Sequence, residues 1–504
     1  MAVADYFDRA ALAAAHALKG GFEGTRFRHL LEDTPVGFAI DESANTIEGS
    51  AIADVTVRLL ARLYPTVSIT ATDGAADAAA RFTQLAREIN PAIEIRSEPA
   101  AVGIVVGSAP STFAEKIYLG ANGWDAHVST EGAQRVGETE LPFGGAAAAC
   151  IGCANLFRRI FTDDWPSSGD RQLVFSTFDL TNAATKEQPQ LPEADLDPVV
   201  LVGVGAIGNA AAWALARIPI KGTLHLVDDQ TIELSNLQRY LLSTRADEDA
   251  VKADVAERLF EGPGAHLTAI AHKQSWAEFA DENGYQWPRL LLALDSAAAR
   301  RSAQASLPQW IANSWTQPGD LGVSVHPTFS GDSACVSCLY LQDKELPSED
   351  KLIADAIGVP ELVDQVRQFI HTGEGLQLPF LNVVAQRLGL DQSNIEPFVG
   401  RPVRDLYVVG ICGGAVLPLG AAGVPDASLH VPLAHQSALA GIVLAASYMR
   451  SLSEAAFTDT RLARIYLLKA LPELEPLPML KRGDGRCICE DADYLRAYER
   501  KWSA

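Results

Sequence analysis

Residues 199–209 read Val-Val-Leu-Val-Gly203-Val-Gly205-Ala206-Ile207-Gly208-Asn209, and few folds accept such a run. An apolar, β-branched segment flows into Gly-x-Gly-x-x-Gly and then into an alanine-rich helical pattern. A strand that turns this sharply into a helix belongs to a βαβ unit. Each glycine has its own reason: the first for the tight turn, the second for close approach of a ligand to the backbone, the third for helix–sheet packing. The turn from Gly203 through Ala206 and Ile207 to Gly208 directs free N–H groups and the positive end of a helix dipole at one point, where an anion binds.

The pattern continues past the turn. A helix is expected from about 209 to 218 and a strand over Thr223–Val227 that ends on Asp228, where a carboxylate can accept from ribose hydroxyls. A further helix is expected at about 249–260, and a strand at Arg289–Leu294 leads to Asp295. Strands alternating with helices predict a mainly parallel sheet covered on both faces, an α/β fold. The first half repeats this rhythm weakly. LLARLYPTVSITA (59–71) has the helix-to-strand shape of ALARIPIKGTLHLV (214–227), and PFGGAAAACIGCANLFRRIF (142–161) is placed like VPLAHQSALAGIVLAASYM (431–449). It lacks the glycine loop, so a degenerate copy of the same fold is expected there.

Bulk numbers narrow the partners. The chain has 504 residues, room for several domains, and 48% hydrophobic content, as expected of a globular protein. Its net charge is −22, from 63 acids and 41 bases. That argues against nucleic acid or an anionic membrane as the main partner, since both need basic patches. Residues 1–20 lack a basic start followed by an apolar core, and no run approaches a membrane span, so a cytoplasmic protein is expected. Seven cysteines in such a chain are read as reduced, and as metal or catalytic candidates when paired.

The glycine loop does not choose between a nicotinamide cofactor and ATP. The next block, Ser235-Asn236-Leu237-Gln238-Arg239, followed by Lys252, does. A dehydrogenase does not need polar and basic groups just past the ribose acid. An adenylating enzyme does, because negative charge gathers on the α-phosphate and the departing pyrophosphate. Asp295 could hold Mg²⁺ bridging the phosphates.

GVGAIGN, DDQTIELSNLQRYLL, VKADVAERL and ALDSAAAR, in that order, resemble the ubiquitin-activating enzyme and ThiF–MoeB adenylyltransferase superfamily over about 199–345, resuming at about 430–450. The resemblance implies two Rossmann-like adenylation domains, the first inactive and the second active. It implies ATP and Mg²⁺, and adenylation of the C-terminal glycine carboxylate of a ubiquitin-like protein. By position, Asp228 would contact ribose, Asn236, Arg239 and Lys252 the phosphates, and Asp295 the metal; Arg300 matches a recurrent arginine. The chain departs from the pattern at Gln230, where a second acid is usual, at Tyr240 in place of glutamine, and at Ser296 in place of asparagine.

The resemblance also organises the cysteines. Cys335-x-x-Cys338 sits where many members carry half of a structural zinc site, and Cys487-x-Cys489 would supply the other half. Cys412, between glycine-flanked apolar residues ahead of the returning helix, would be the thioester cysteine that takes the acyl group from the adenylate. Cys150 and Cys153 are more consistent with helix packing than with ligation. The inactive half of such enzymes completes the ATP site with an arginine; Arg9 is the candidate, with Arg26 and Arg28 as rivals.

The expected organisation is an inactive adenylation-like domain at 1–185, a linker at 186–198, the ATP-binding domain at 199–341, an inserted catalytic-cysteine region at 342–428, and a return with zinc closure at 429–504. The pairing of halves is expected within one chain as a pseudo-dimer, with a homodimer as the other arrangement. A conjugating-enzyme-like protein would receive the thioester. The alanine-rich composition suggests a bacterial source and, by analogy, a bacterial ubiquitin-like conjugation system, some of which act in antiviral defence. The rival readings are a sulfur-carrier adenylyltransferase, a non-catalytic adaptor for a ubiquitin-like protein, and a nicotinamide-dependent oxidoreductase.

Overall fold

The computed structural model describes residues 4–18, 22, 24–96, 100–163, 169–189, 196–262, 265–317, 320–341, 348–407 and 431–503. Two helices, α1 (Phe7–Leu18) and α2 (Gly24–Asp33), precede the first sheet. That sheet's strands and helices follow as β1 (Val36–Ile40), α3 (Ile47–Leu63), β2 (Thr66–Ala71), α4 (Ala76–Ile89), β3 (Glu94–Arg96), β4 (Val102–Val106), β5 (Glu115–Asn122), β6 (Asp125–Ser129), α5 (Phe143–Phe161) and β7 (Gln172–Ser176). Its strand order is β3-β2-β1-β4-β5-β6-β7. Pairing is parallel as far as β5, and antiparallel for β6 and β7.

The second half repeats this order. It holds β8 (Leu196–Val202), α6 (Ala206–Leu215), β9 (Gly222–Val227), α7 (Lys252–Glu257), β10 (Leu267–His272), α8 (Trp276–Asn283), β11 (Arg289–Leu292), α9 (Ala297–Ala305), β12 (Trp310–Gln317) and β13 (Asp320–His326). After an insertion come α16 (Ala434–Ser451), β14 (Arg461–Tyr466), β15 (Leu477–Pro478) and α17 (Ala492–Trp502), with α10 to α15 given below. The sheet order is β10-β9-β8-β11-β12-β13-β14-β15. Again the strands are parallel through the fifth, here β12, and antiparallel beyond it. The first seven positions of both sheets share one topology, as the weak repeat in the sequence predicts.

Apart from Arg289 at the start of β11, the central strands β1, β4 and β11 are runs of Val, Ile, Leu, Phe and small residues and are buried, as a sheet covered on both faces requires. Helices α5 and α16 are apolar on nearly every side and buried. Each packs on the helix that follows the first strand of its own half, α5 on α3 and α16 on α6, and the two also touch each other. No helix among the described residues is long and apolar enough to cross a membrane.

Glycines mark the repeat at atomic detail. Gly49 and Gly208 are each the third residue of their helix, α3 and α6. A Cβ on Gly49 would lie 2.0 Å from the Ser43 carbonyl oxygen, and one on Gly208 would lie 2.0 Å from that of Gly203. The partner helices approach just as closely. A Cβ on Gly145 of α5 would lie 2.6 Å from the Glu48 carbonyl, and one on Gly441 of α16 would lie 2.2 Å from that of Ile207. The first half therefore keeps the packing glycine of the motif although it lacks the other two.

The described residues among 11–16 and 342–431 form a separate compact unit. Over residues 342–405 this unit is rich in charge and proline and shows little periodicity in sequence. Its described residues are instead helical: α11 (Glu349–Ala356), α12 (Val363–Thr372), α13 (Leu378–Leu388), α14 (Gln392–Ile395) and α15 (Val403–Asp405). Ile353, Val366, Phe369, Phe380, Leu381 and Phe398 close a small core of their own. The helices are short and their outer faces carry most of the charge, which hides the 3.6-residue period. Ahead of the insertion, α10 (Val336–Tyr340) follows β13.

Candidate adenylation site

Gly203 leaves β8 with φ +89°, a conformation that favours glycine, and a Cβ there would meet the Ala293 carbonyl at 2.8 Å. The turn is thus pressed against the end of β11, two residues before the exposed carboxylate of Asp295. Gly205 differs. It has an ordinary φ of −69°, and the nearest atom to a Cβ would be the Tyr240 hydroxyl at 3.6 Å. Its α-carbon faces room that a ligand can use, whereas Gly203 and Gly208 face backbone. The three glycine roles expected from the motif are therefore separable in the structure.

Asp228, at the end of β9, closes over this turn. Its Oδ2 accepts from the Val204 N–H at 2.7 Å and its Oδ1 from the Gln230 N–H at 2.9 Å. Burial pushes the carboxyl up, against the pull of Lys252 and of the two N–H donors. Lys252, at the start of α7, is itself buried and donates from Nζ to Gln230 Oε1 at 2.6 Å. Gln230 replaces the second acid of the family pattern, and an amide there orients the lysine without neutralising it.

Asn236 ends the 3₁₀ turn that follows, Leu234–Asn236, and Arg239 lies on the turn just after it. Asn236 Oδ1 accepts from the Glu233 N–H at 3.1 Å, which fixes the turn's start. Arg239 Nη1 donates to the Ser235 carbonyl at 3.4 Å, and desolvation pulls the guanidinium below its usual value. Tyr240, the other departure from the pattern, ties the pair together. Its buried ring lies 5.6 Å from the Arg239 guanidinium carbon and 5.5 Å from Lys252 Nζ. Two cations thus lie against one aromatic ring, whose hydroxyl stands beside Gly205. Tyr6, Ile232, Leu237 and Val255 form one buried cluster with Tyr240.

Arg300 is not part of this cluster. It is buried, with Nε donating to Asn313 Oδ1 at 2.8 Å and Nη2 to the Ser314 carbonyl at 3.2 Å. It therefore anchors α9 to β12. Arg9 is half-buried on the first turn of α1, near Tyr6. Of its rivals, Arg26 pairs with Asp163 at 2.6 Å and Arg28 lies over the Phe7 ring at 5.2 Å. Cys412 lies outside the described residues.

The four cysteines expected to act together do converge. Cys335, Cys338, Cys487 and Cys489 are all buried, with their sulfurs within 4.8 Å of one another. The shortest separations are 3.3 Å for Cys338–Cys487 and 3.5 Å for Cys335–Cys487 and Cys338–Cys489. Four thiolates about 2.3 Å from a tetrahedral zinc would stand roughly 3.8 Å apart, so the donor set and its spacing fit that ion. The chain's end is also held to the core without metal: Trp502 Nε1 donates to the Leu307 carbonyl at 2.8 Å and Lys501 Nζ to that of Ser306 at 2.6 Å. Cys150 and Cys153 are buried in α5, and desolvation raises both thiols.

The structure thus brings together a glycine turn, the strand-end acid Asp228, and two cations over one aromatic ring, Lys252 buried and Arg239 half-buried. Residues 171–473 match the model of the ThiF family, and residues 39–162 match that of prokaryotic E2 family C. The chain belongs to the ThiF family, whose members are adenylyltransferases. It is 39% identical to the protein y4jF of Sinorhizobium fredii (strain NBRC 101917 / NGR234), over all of this chain and 98% of that one. The sulfur carrier protein ThiS adenylyltransferase of Escherichia coli (strain K12) is 31% identical over 32% of this chain and 64% of its own length. The Nedd8-activating enzyme E1 catalytic subunit of Drosophila melanogaster is 38% identical over 20% of this chain and 23% of its own. Among solved structures, E. coli MccB with MccA aligns at 14% identity and a TM-score of 0.35, covering 58% of this chain and 66% of that one.

Proposed function

We propose that this adenylyltransferase activates a ubiquitin-like protein in an ATP-dependent reaction and carries it onward as a thioester. The observation behind the first step is the placement of Lys252 and Arg239 on Tyr240, beside the open α-carbon of Gly205. ATP would lie with its phosphates over Gly203–Gly208 and its ribose at Asp228. A carboxylate oxygen of the carrier's C-terminal glycine attacks the α-phosphorus, the bond to the bridging oxygen breaks, and pyrophosphate leaves with that electron pair. Lys252, Arg239 and Asn236 meet the charge that grows on the phosphates. Asp295 is one exposed carboxylate at a strand end, the kind of single protein ligand that Mg²⁺ takes alongside substrate phosphates, and the ion would neutralise the leaving group. Arg9 is our candidate for an arginine from the first half.

In the second step the Cys412 thiolate would attack the acyl adenylate, release AMP, and hold the acyl group for a conjugating-enzyme-like acceptor. The first half's likeness to prokaryotic E2 family C links it to conjugation by name. Its only two thiols in the matched span, Cys150 and Cys153, are buried, so we assign it no thioester of its own. The four-cysteine cluster would hold structural zinc. Metal analysis should then find one equivalent per chain, and Cys489→Ser should lose the metal and lower Tm while leaving the glycine turn in place.

The test of the reaction is ATP–pyrophosphate exchange against candidate carrier proteins ending in glycine. Cys412→Ala should keep exchange and lose the reductant-sensitive adduct; loss of exchange as well would remove Cys412 from the second step. A second reading has support in the likeness to ThiS adenylyltransferase: the same adenylation followed by sulfur transfer. Release of the carrier as a thiocarboxylate would favour it. Absence of exchange with every carrier would leave the adaptor reading.

A further inference from the structure

The first half contributes something to the adenylation site that neither family likeness assigns. Arg58 and Arg62, one turn apart on α3, reach across to the backbone that follows Arg239. Arg62 Nη2 donates to the carbonyls of Tyr240, Leu241 (3.1 Å) and Ser243 (2.6 Å). Arg58 Nη1 donates to the carbonyls of Leu241 (3.1 Å) and Leu242 (3.2 Å). Every carbonyl from Tyr240 to Ser243 therefore accepts from a guanidinium of the other half. From the opposite side Asn209 on α6 accepts the Leu242 N–H at 2.5 Å.

The clamp is itself held. Arg58 Nε pairs with Asp54 at 3.0 Å, and the same carboxylate accepts from Trp213 Nε1 at 2.7 Å and lies 3.5 Å from Arg217. Arg62 is 2% exposed, and among the described residues it pairs with no carboxylate. A buried cation met only by carbonyl dipoles costs stability relative to an apolar side chain of the same size. Its planar fork, which can address three carbonyls at once, gives it a use that lysine cannot match.

We propose that Arg58 and Arg62 are positioning residues for adenylation. They fix the Tyr240–Ser243 backbone and so hold the Tyr240 ring on which Arg239 and Lys252 rest. The proposal rests on the reading of this site as an ATP site. It makes the first half a support for the phosphate-handling turn of the second.

The test measures binding of α,β-methylene-ATP with Mg²⁺ by calorimetry, per mole of folded full-length protein, together with Tm. Arg62→Gln should weaken the analogue by roughly tenfold to a hundredfold, the scale on which a displaced group far from the chemistry acts. Arg62→Lys should fall between wild type and Arg62→Gln, and Arg87→Gln, an exposed arginine on α4, should match wild type. If Arg62→Gln does not fold, Arg62→Lys and Arg58→Lys carry the decision. Variants that lose Tm but bind the analogue within twofold of wild type overturn the proposal alone. A wild-type protein that binds no analogue overturns the nucleotide reading and this proposal with it.

Discussion

The two halves of this chain share a sheet order, a pair of close-packed helices and even the glycines that let those helices touch, yet only one carries the residues we propose to handle phosphate. The difference lies in two connections. Between β2 and α4 the first half has only residues 72–75, whereas between β9 and α7 the second has residues 228–251, which carry Asn236, Arg239 and Tyr240. Between β6 and α5 the first half has residues 130–142, whereas between β13 and α16 the second has the helical insertion. The strand-end turn differs as well. Where the second half offers Gly203 and Gly205, the first has Asp41, whose Oδ1 already accepts from the Ser43 N–H at 3.0 Å and hydroxyl at 2.5 Å. Its Oδ2 takes the Ser108 hydroxyl at 3.3 Å. A carboxylate that already takes the Ser43 N–H and two hydroxyls competes with a phosphate for that place. Packing glycines and phosphate glycines are thus under separate constraints, and a copy can keep the first while losing the second.

The largest expected effect tests that asymmetry directly. Lys252→Ala or Arg239→Ala should cut ATP–pyrophosphate exchange by roughly 10²–10³-fold, the usual loss when one group stabilising transition-state charge is removed. Asp41→Ala, at the matching turn of the first half, should leave exchange within about twofold, since that turn lies outside the nucleotide site. Loss of exchange in Asp41→Ala with Tm unchanged would mean that the first half handles phosphate too, and the comparison would fail.

The glycines sharpen it. Gly49→Ala and Gly208→Ala each drive a methyl to 2.0 Å from a carbonyl oxygen, so both should lower stability, by roughly 1–3 kcal/mol in denaturant titrations. Gly205→Ala meets only the Tyr240 hydroxyl at 3.6 Å. It should leave stability nearly unchanged and weaken an ATP analogue by about tenfold, or about 1.4 kcal/mol. If Gly205→Ala instead destabilises the fold as Gly208→Ala does, the division into packing and phosphate glycines is wrong.

What could be read from the sequence follows the range of the interactions. The glycine turn, Asp228 and the SNLQR block are local, and each is legible because the backbone conformation or the charge at one point demands a residue type. The repeat was legible through the two alanine-rich central helices, whose burial suppresses polar residues on every face. Bringing Cys335 and Cys338 together with Cys487 and Cys489 needed the family resemblance, since nothing local joins pairs so far apart. Arg58 and Arg62 were not legible at all. In sequence they are two arginines one turn apart on a helix, the usual look of a solvated face, and only the fold shows that this face meets four carbonyls of the other half. Tyr240 and Gln230 read as departures from a pattern, and geometry turned them into the partners of Arg239 and Lys252.

The smallest expected effect concerns the central helices. α5 has no histidine, whereas α16 carries His435 in its first turn, buried and brought down to about 3 by desolvation and by Arg158. In the unfolded chain this imidazole takes up a proton below its ordinary value of 6.5; in the folded chain it stays neutral until about 3. Between those values the unfolded state binds more protons, so stability falls as pH falls, by about 1.4 kcal/mol per pH unit from this group. His435→Leu should therefore flatten the dependence of stability on pH between about 6.5 and 4 relative to wild type, with little change in its slope above pH 7. Denaturant titrations at a series of pH values read that slope. If wild type and variant lose stability in parallel over the window, acid sensitivity lies elsewhere, and the two central helices are equivalent in this respect as they are in packing.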